Sequence, residues 1–330
     1  MNKYFFILLP LVFLFSACST KQVFEPKKLG SDWEKYEDEK KDIIDTSSNV
    51  ALLENLQVLT KEGIIDADIN ASNRLISLSD GWVISASIDG NLYLTSKEDK
   101  TLVKKLVLEK TIAGASVKDD EVAVLFADNE IALYSLESKK LLFKEAGAKF
   151  IASDSRIVNP HFMKGLVLFA TLDGKIVIVN SELKKRLRTI IVSSEDNFNN
   201  IISLNILKNK IIAATGHKIL SLAQEEIREK YEIRNIAYDE TNIFITTKQG
   251  EVLSLTSDLQ VVLKEKFPFA HFYGVVSNGD KIYVLEKEGY MIILDKNSFE
   301  YTVHEVDFDD GFIFTTDKDF YIDNKKILTE

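Results

Sequence analysis

The sequence predicts an all-β fold, a β-propeller of four-stranded antiparallel blades, and three observations predict it. A phrase made of an apolar run, a tight polar turn, a second apolar run, a second turn and a charged apolar run recurs about seven times. Its period wanders between roughly 30 and 45 residues, the range of radially repeated β-architectures. A glycine turn falls at one place in the phrase, at Gly90, Gly174, Gly250 and Gly289, where a two-residue hairpin needs a positive φ. Helical periodicity is nowhere sustained, whereas period-two alternation keeps returning.

The N-terminus stands outside the repeats. Asn2 and Lys3 give a positive start, and the apolar run YFFILLPLVFLF follows. That run has signal-peptide length and falls short of the roughly 20 residues a membrane-spanning helix needs. Residues 1–17 are therefore expected to be a signal peptide. Phe15, Ser16, Ala17 and Cys18 come next and resemble the lipobox of bacterial lipoproteins, although Phe15 stands where Leu or a similar aliphatic residue is usual. The resemblance implies lipid attachment at Cys18, the single Cys of the chain. One Cys leaves no internal disulfide and no Cys-based metal site. Multiple acyl chains on it give stable anchoring where one would be reversible. Ser19 rather than Asp follows, which favours the outer membrane over the inner.

Residues 18–50 are polar and densely charged and are expected to be a tether. Ser31 and Glu34 have capping-box spacing, which predicts a short helix from Asp32 to about Ile44. Trp33 in that stretch is an aromatic that can dock on the body or on a partner.

Residues 51–330 are expected to form the propeller. Each phrase holds four strands; in the fifth they fall at about 234–238, 243–247, 252–255 and 261–265. Within KIVIVNS, Ile176 and Ile178 point one way and Val177 and Val179 the other. Two apolar faces are what a strand packed between neighbouring sheets requires. Seven blades are assigned in this way, and 56–59 with 64–69 supply strands for an eighth. A β-helix would repeat at a shorter period, and a sandwich would not repeat its turn chemistry.

Composition narrows the function. A hydrophobic fraction of 45% supports a large core, and a net charge of −10 disfavours nucleic acid as a partner. Phosphate-binding, zinc-protease, nucleophile-elbow and dinucleotide fingerprints are missing. The stretch from Asp66 begins like a calcium loop but places Ala71 where Gly is needed and Ser77 where Glu is needed. His161, His217, His271 and His304 fall in different repeats at unrelated offsets. No catalytic residue, cofactor or metal is expected. The partner-binding candidates are Phe267, Phe269, Phe272 and Tyr273 in one aromatic-dense connection and Phe198 in a longer polar one, aromatics and long loops being where recognition concentrates. For the aromatic connection, inter-blade packing is the competing reading.

The third repeat carries a family likeness. Asn159 and Pro160, then GLVLFATLDGKIVIVN from Gly165, resemble the repeat of PQQ-like β-propellers, in which a Pro precedes an apolar strand, an Asp-Gly turn and a second apolar strand ending in Asp or Asn. Repeats of that family often close with a Trp docked between blades; Phe143, Leu187 and Val262 stand at those positions here. Within the superfamily, a lipid-anchored propeller without enzyme motifs is similar to the BamB group of the outer-membrane β-barrel assembly machinery. The resemblance implies a periplasmic scaffold that binds the membrane-embedded barrel-assembly protein; a lipoprotein that binds another envelope or host component is the alternative. A PQQ-dependent oxidoreductase is disfavoured, because those enzymes use a vicinal Cys pair.

Overall fold

The computed structural model describes residues 22–330 apart from 39, 40, 68 and 196. The expected signal peptide and Cys18 lie outside the described residues. Among the described residues, thirty-two strands form eight four-stranded antiparallel sheets, so the propeller has eight blades. Blade 1 comprises Ile43–Thr46, Val50–Leu53, Val58–Thr60 and Gly63–Ile65. The next six run without interruption, each from an inner first strand to an outer fourth one. They begin at Arg74–Ser79, Ile112–Lys118, His161–Met163, Ile201–Leu207, Ile233–Tyr238 and Phe272–Asn278. They end at Val103–Val107, Leu141–Glu145, Lys185–Ile191, Glu226–Lys230, Val261–Lys266 and Tyr301–Glu305.

Blade 8 is composite. The C-terminal strands Ile313–Thr315, Phe320–Ile322 and Lys325–Ile327 supply three positions, and Tyr36–Asp38 from the N-terminus supplies the outermost. Tyr36 pairs with Ile327 and Asp38 with Lys325. Lys326 Nζ adds an ion pair to Glu37 at 2.8 Å. The chain thus latches its own ends together, and the propeller starts before residue 51.

The helix expected over 32–44 is not formed: strands occupy Tyr36–Asp38 and Ile43–Thr46. An isolated helix of that length is marginal in water, and tertiary contacts outweigh it. The Gly30 N–H donates to the Val303 carbonyl at 2.7 Å, and the Trp33 N–H to the Glu305 carbonyl at 2.8 Å, along the outer strand of blade 7. Trp33 packs edge-on to Tyr283 and His304, and its indole N–H donates to the Leu328 carbonyl at 3.1 Å. Residues 24–35 therefore form a strap on the body.

Eight apolar clusters of described residues hold the ring, one at each blade junction. Blade 4 shows how both faces are used. Ile176 and Ile178 pack against blade 5, whereas Val177 and Val179 pack against blade 3. Each fully buried aliphatic or aromatic side chain contributes about 1.5–3 kcal/mol. In blades 1, 2, 3, 5, 6 and 7 the first strand carries a register shift near its start. Such bulges increase local twist, which lets neighbouring inner strands converge.

Topology assigns the loops to two faces. Turns between second and third strands share one face with the blade-to-blade connections, here the crossover face; the remaining hairpins lie on the other. The turn glycines lock this face. Gly250 has φ +77°, and a Cβ there would sit 2.2 Å from the Phe267 carbonyl oxygen. The Phe267 N–H in turn donates to the Gly250 carbonyl at 2.7 Å. In blade 3 Asn129 takes the left-handed position with φ 69°. Its Nδ2 donates to the Ala148 carbonyl and the Asp173 carboxylate, and its Oδ1 accepts from the Leu172 N–H, tying blade 3 to blade 4.

A buried carboxylate fastens the connection into blade 7. Glu286 accepts from the N–H groups of His271 at 2.9 Å and Glu288 at 2.6 Å. Burial pushes its pKa above the usual 4.5, and the charge of Glu288 pushes the same way, against the donated hydrogen bonds.

Gly250→Ala is expected to cost at least about 2 kcal/mol in urea denaturation, because strain and a backbone clash coincide. Gly81→Ala, where φ is +76° but the space is open, costs only about 1 kcal/mol. For Glu286, the folded state binds the proton more tightly than the unfolded state, so stability falls as pH rises from about 4.5 through the raised pKa. The melting temperature of wild type minus that of Glu286→Gln is expected to decline across that window; a flat difference would mean the carboxylate is already ionised there.

Candidate functional site

The aromatic connection 267–273 divides into core and surface. Phe267 and Phe272 are 2% and 1% exposed and belong to the cluster between blades 6 and 7. Their rings meet edge-on at 6.3 Å, with Tyr301 4.9 Å and Phe24 5.9 Å from Phe267. These two candidates are packing residues, and the competing reading of inter-blade packing holds for them. Tyr273 is half-buried against Phe308 and donates its hydroxyl to Asp310 at 3.4 Å. Burial pushes its phenol pKa up, and Asp310 adds to the rise.

Phe269 is different. It is 53% exposed with φ +66°. Pro268 stiffens the chain just before it, and the Ala270 N–H closes the turn on the Phe267 carbonyl at 3.2 Å. A turn with Pro second and positive φ third is normally given Gly or Asn at the third place. A bulky aromatic there is out of keeping with local preference.

Phe198 repeats the pattern in the connection between blades 4 and 5, 52% exposed with φ 52°. Its neighbours are fixed. Asn199 Nδ2 donates to the carbonyls of Asp173 and Ser193. Asn200 accepts from the Asp154 N–H and donates to the carbonyls of Asp154 and Arg156. The Phe198 N–H donates to the Ala152 carbonyl at 3.0 Å. Both phenylalanines are thus held out from the crossover face by rigid backbone.

Sequence reasoning missed the partner of that loop, the connection 146–160 between blades 3 and 4. It carries Ile151, 83% exposed, beside the residue that accepts from Phe198. Ile88, 82% exposed, lies in the turn of blade 2 on the same face. The available signal was the loss of alternation after Glu145.

The same connection crosses between inner strands on opposite sides of the ring. Asn159 reaches Ser48 of blade 1 at 2.7 Å, the Ile76 carbonyl of blade 2 at 3.4 Å and the Ala115 N–H of blade 3 at 3.2 Å. Arg156 donates to the Arg234 carbonyl on the inner strand of blade 6 and holds Asp154 through Nε and Nη2. Burial alone raises the Asp154 pKa, but the bonds from Arg156 bring it below the usual carboxylate range. A polar crossbrace therefore spans the axis.

The histidines remain apart. His161 lies on the inner strand of blade 4, and desolvation pushes its pKa down; His304 Nδ1 bonds the Ser31 carbonyl within the strap at 2.7 Å. Among the described residues no group of three or more His, Cys, Asp or Glu is placed to hold a metal ion. On the opposite face an open groove of about 590 Å³ lies between blades 3 and 4, lined by Lys118, Asp119, Asp120, Glu121 and Lys184 among others. A Lys184–Glu121 ion pair bridges it.

No family model matches the chain. It is similar to plasminogen-binding protein PgbB of Helicobacter pylori strain J99, with 29% identity over an alignment that covers 99% of this chain and 70% of the relative. The protein of the same name from a second H. pylori strain aligns with the same identity and coverage. Among solved structures, BamB from Moraxella catarrhalis superposes with a TM-score of 0.66 at 13% identity, covering 89% of this chain and 98% of that one. The computationally designed Ika8 protein gives 0.64 at 13% identity, covering 91% and 99%. At such identities the structural matches speak for the propeller fold, natural and designed alike.

Proposed function

We propose that this chain is a non-catalytic, lipid-anchored propeller of the cell envelope that binds proteins on its crossover face. The observation that carries the reading is Phe198, half-exposed in left-handed backbone next to a connection that carries the 83%-exposed Ile151. Left-handed backbone costs a bulky residue about 1–3 kcal/mol, and such strain clusters at functional sites. Residues that break local preference while remaining at the surface are poorly accounted for by folding. With Ile151 and Ile88, Phe198 forms apolar studs on one face, the composition of a protein-recognition surface. The apolar leader and Cys18 support the anchor, and the length of the match to PgbB supports an envelope role.

Two partner classes refine this reading. The PQQ-like repeat and the likeness to the BamB group support a scaffold in outer-membrane β-barrel assembly, with the membrane-embedded assembly protein as partner. The match to PgbB, which extends over nearly the whole chain, favours a second class, a host component of the kind that relative is named for. Fold likeness alone transfers no function, so the sequence relative weighs more.

Crosslinked pull-down of the lipidated protein from its native envelope, followed by mass spectrometry, separates these. Recovery of the barrel-assembly protein supports the first class. Its absence, together with saturable binding of immobilised plasminogen, supports the second. The double variant Ile151→Ser, Phe198→Ser is expected to weaken capture about tenfold or more, the loss of two apolar anchors, at an unchanged melting temperature. Undiminished capture would remove this face from the reading.

A further inference from the structure

The strap restricts how the ring can sit on a membrane. Phe24 is buried between blades 6 and 7 at the crossover rim, 5.7 Å from the Tyr290 ring and 5.9 Å from Phe267. From Gly30 onward the chain is hydrogen-bonded along blade 7. Only six steps separate Phe24 from Cys18, and at 3.3–3.6 Å per residue they reach at most about 20 Å. Four strands spaced about 4.8 Å apart make each blade roughly 15 Å deep, so the ring is roughly 40 Å across. A tether that short, rooted at one rim, cannot let every side of the ring approach the bilayer equally.

Phe269 projects from that rim. It lies in the connection that begins at Phe267, the residue against which Phe24 packs. Exposed Lys248, Lys266 and Lys287 lie there among exposed Glu25, Glu232, Glu288 and Glu305. Both signs of charge line the edge, so the short tether and the exposed Phe269, not charge, carry the assignment.

We propose that the rim of blades 6 and 7 is a lipid-contact edge, with Phe269 seated in the headgroup region of the membrane that holds Cys18. The inference rests on the anchored reading above. It assigns the two strained phenylalanines different tasks: Phe269 orients the ring against lipid, whereas Phe198, with Ile151, faces a protein partner. A membrane-seated apolar side chain adds a second, weak attachment to the covalent one, and its effect is on orientation.

The test uses full-length lipidated protein reconstituted into phosphatidylcholine–phosphatidylglycerol vesicles containing brominated acyl chains. Phe269→Trp and Phe198→Trp are compared after subtraction of wild-type emission from Trp33 and Trp82. The Phe269→Trp signal is expected to fall about twofold on brominated relative to plain lipid, as for an interfacial aromatic, and the Phe198→Trp signal to stay unchanged. Lys287→Cys bearing an environment-sensitive dye reports the same edge without altering the strained turn, with Lys139→Cys on the opposite face as control. Vesicle-bound protein in which neither the emission of the Phe269→Trp variant nor the dye at position 287 responds would overturn the lipid-contact edge and leave the anchor standing. Protein that fails to float with vesicles, with an N-terminal peptide lacking acyl mass, would remove the anchor and the edge with it.

Discussion

A blade of this protein has two apolar faces and no means of covering either by itself. That constraint underlies the rest of the structure. Val177 and Val179 need blade 3, Ile176 and Ile178 need blade 5, and the requirement passes from blade to blade until the ring returns to its start. An open row of blades would leave apolar faces in water at both ends, at about 25 cal/mol for every Å² exposed. Closure is therefore a condition of stability, and the pairing of Tyr36–Asp38 with Lys325–Ile327 is where it is met. The strap and its aromatics, Phe24 and Trp33, reinforce the same seam.

Closure also decides where function can reside. The inner strands converge, and the Asn159 and Arg156 crossbrace runs between them from opposite sides of the ring. What remains open to a macromolecule is the perimeter and the two loop faces. On the crossover face the loops are pinned by buried Asn129, Asn199, Asn200 and Glu286. Their exposed apolar tips are thus carried on backbone already ordered before any partner arrives, which lowers the entropic cost of recognition.

Much of the fold was legible because repetition makes the pattern redundant. The strands expected in the fifth repeat match Ile233–Tyr238, Asn242–Thr247, Glu251–Thr256 and Val261–Lys266 to within about two residues at each end. The extra strands expected at 56–59 and 64–69 fall in blade 1 as Val58–Thr60 and Gly63–Ile65, whereas the makeup of blade 8 was harder to read. Its outermost strand lies 291 positions away from its partner in sequence, and no local pattern marks a pairing at that distance. The charged stretch around Trp33 carries a local helix signal that long-range contacts override. Within the site, an aromatic-dense run does not disclose which rings turn inward: Phe267 and Phe272 do, whereas Phe269, between them, does not. The deciding feature is the turn through Pro268 and Phe269, closed by the Ala270 N–H on the Phe267 carbonyl, and that is a property of the folded chain. Of the three positions compared above with a docked Trp, Leu187 and Val262 are exposed, whereas Phe143 packs against the cluster between blades 3 and 4.

The latch has a consequence for the order in which the protein is made. Tyr36 is among the first residues of the folded body to be synthesised and Ile327 among the last, yet they are partners. Seven blades can assemble while the chain is still emerging, but the seam cannot seal until nearly the final residue has appeared. Through that interval the outer face of the growing arc and the unpaired edge of the last blade stand open, a hazard for any chain with unfinished strands. A polypeptide of this design thus spends its whole period of emergence as an unclosed arc and becomes a ring in a single late step.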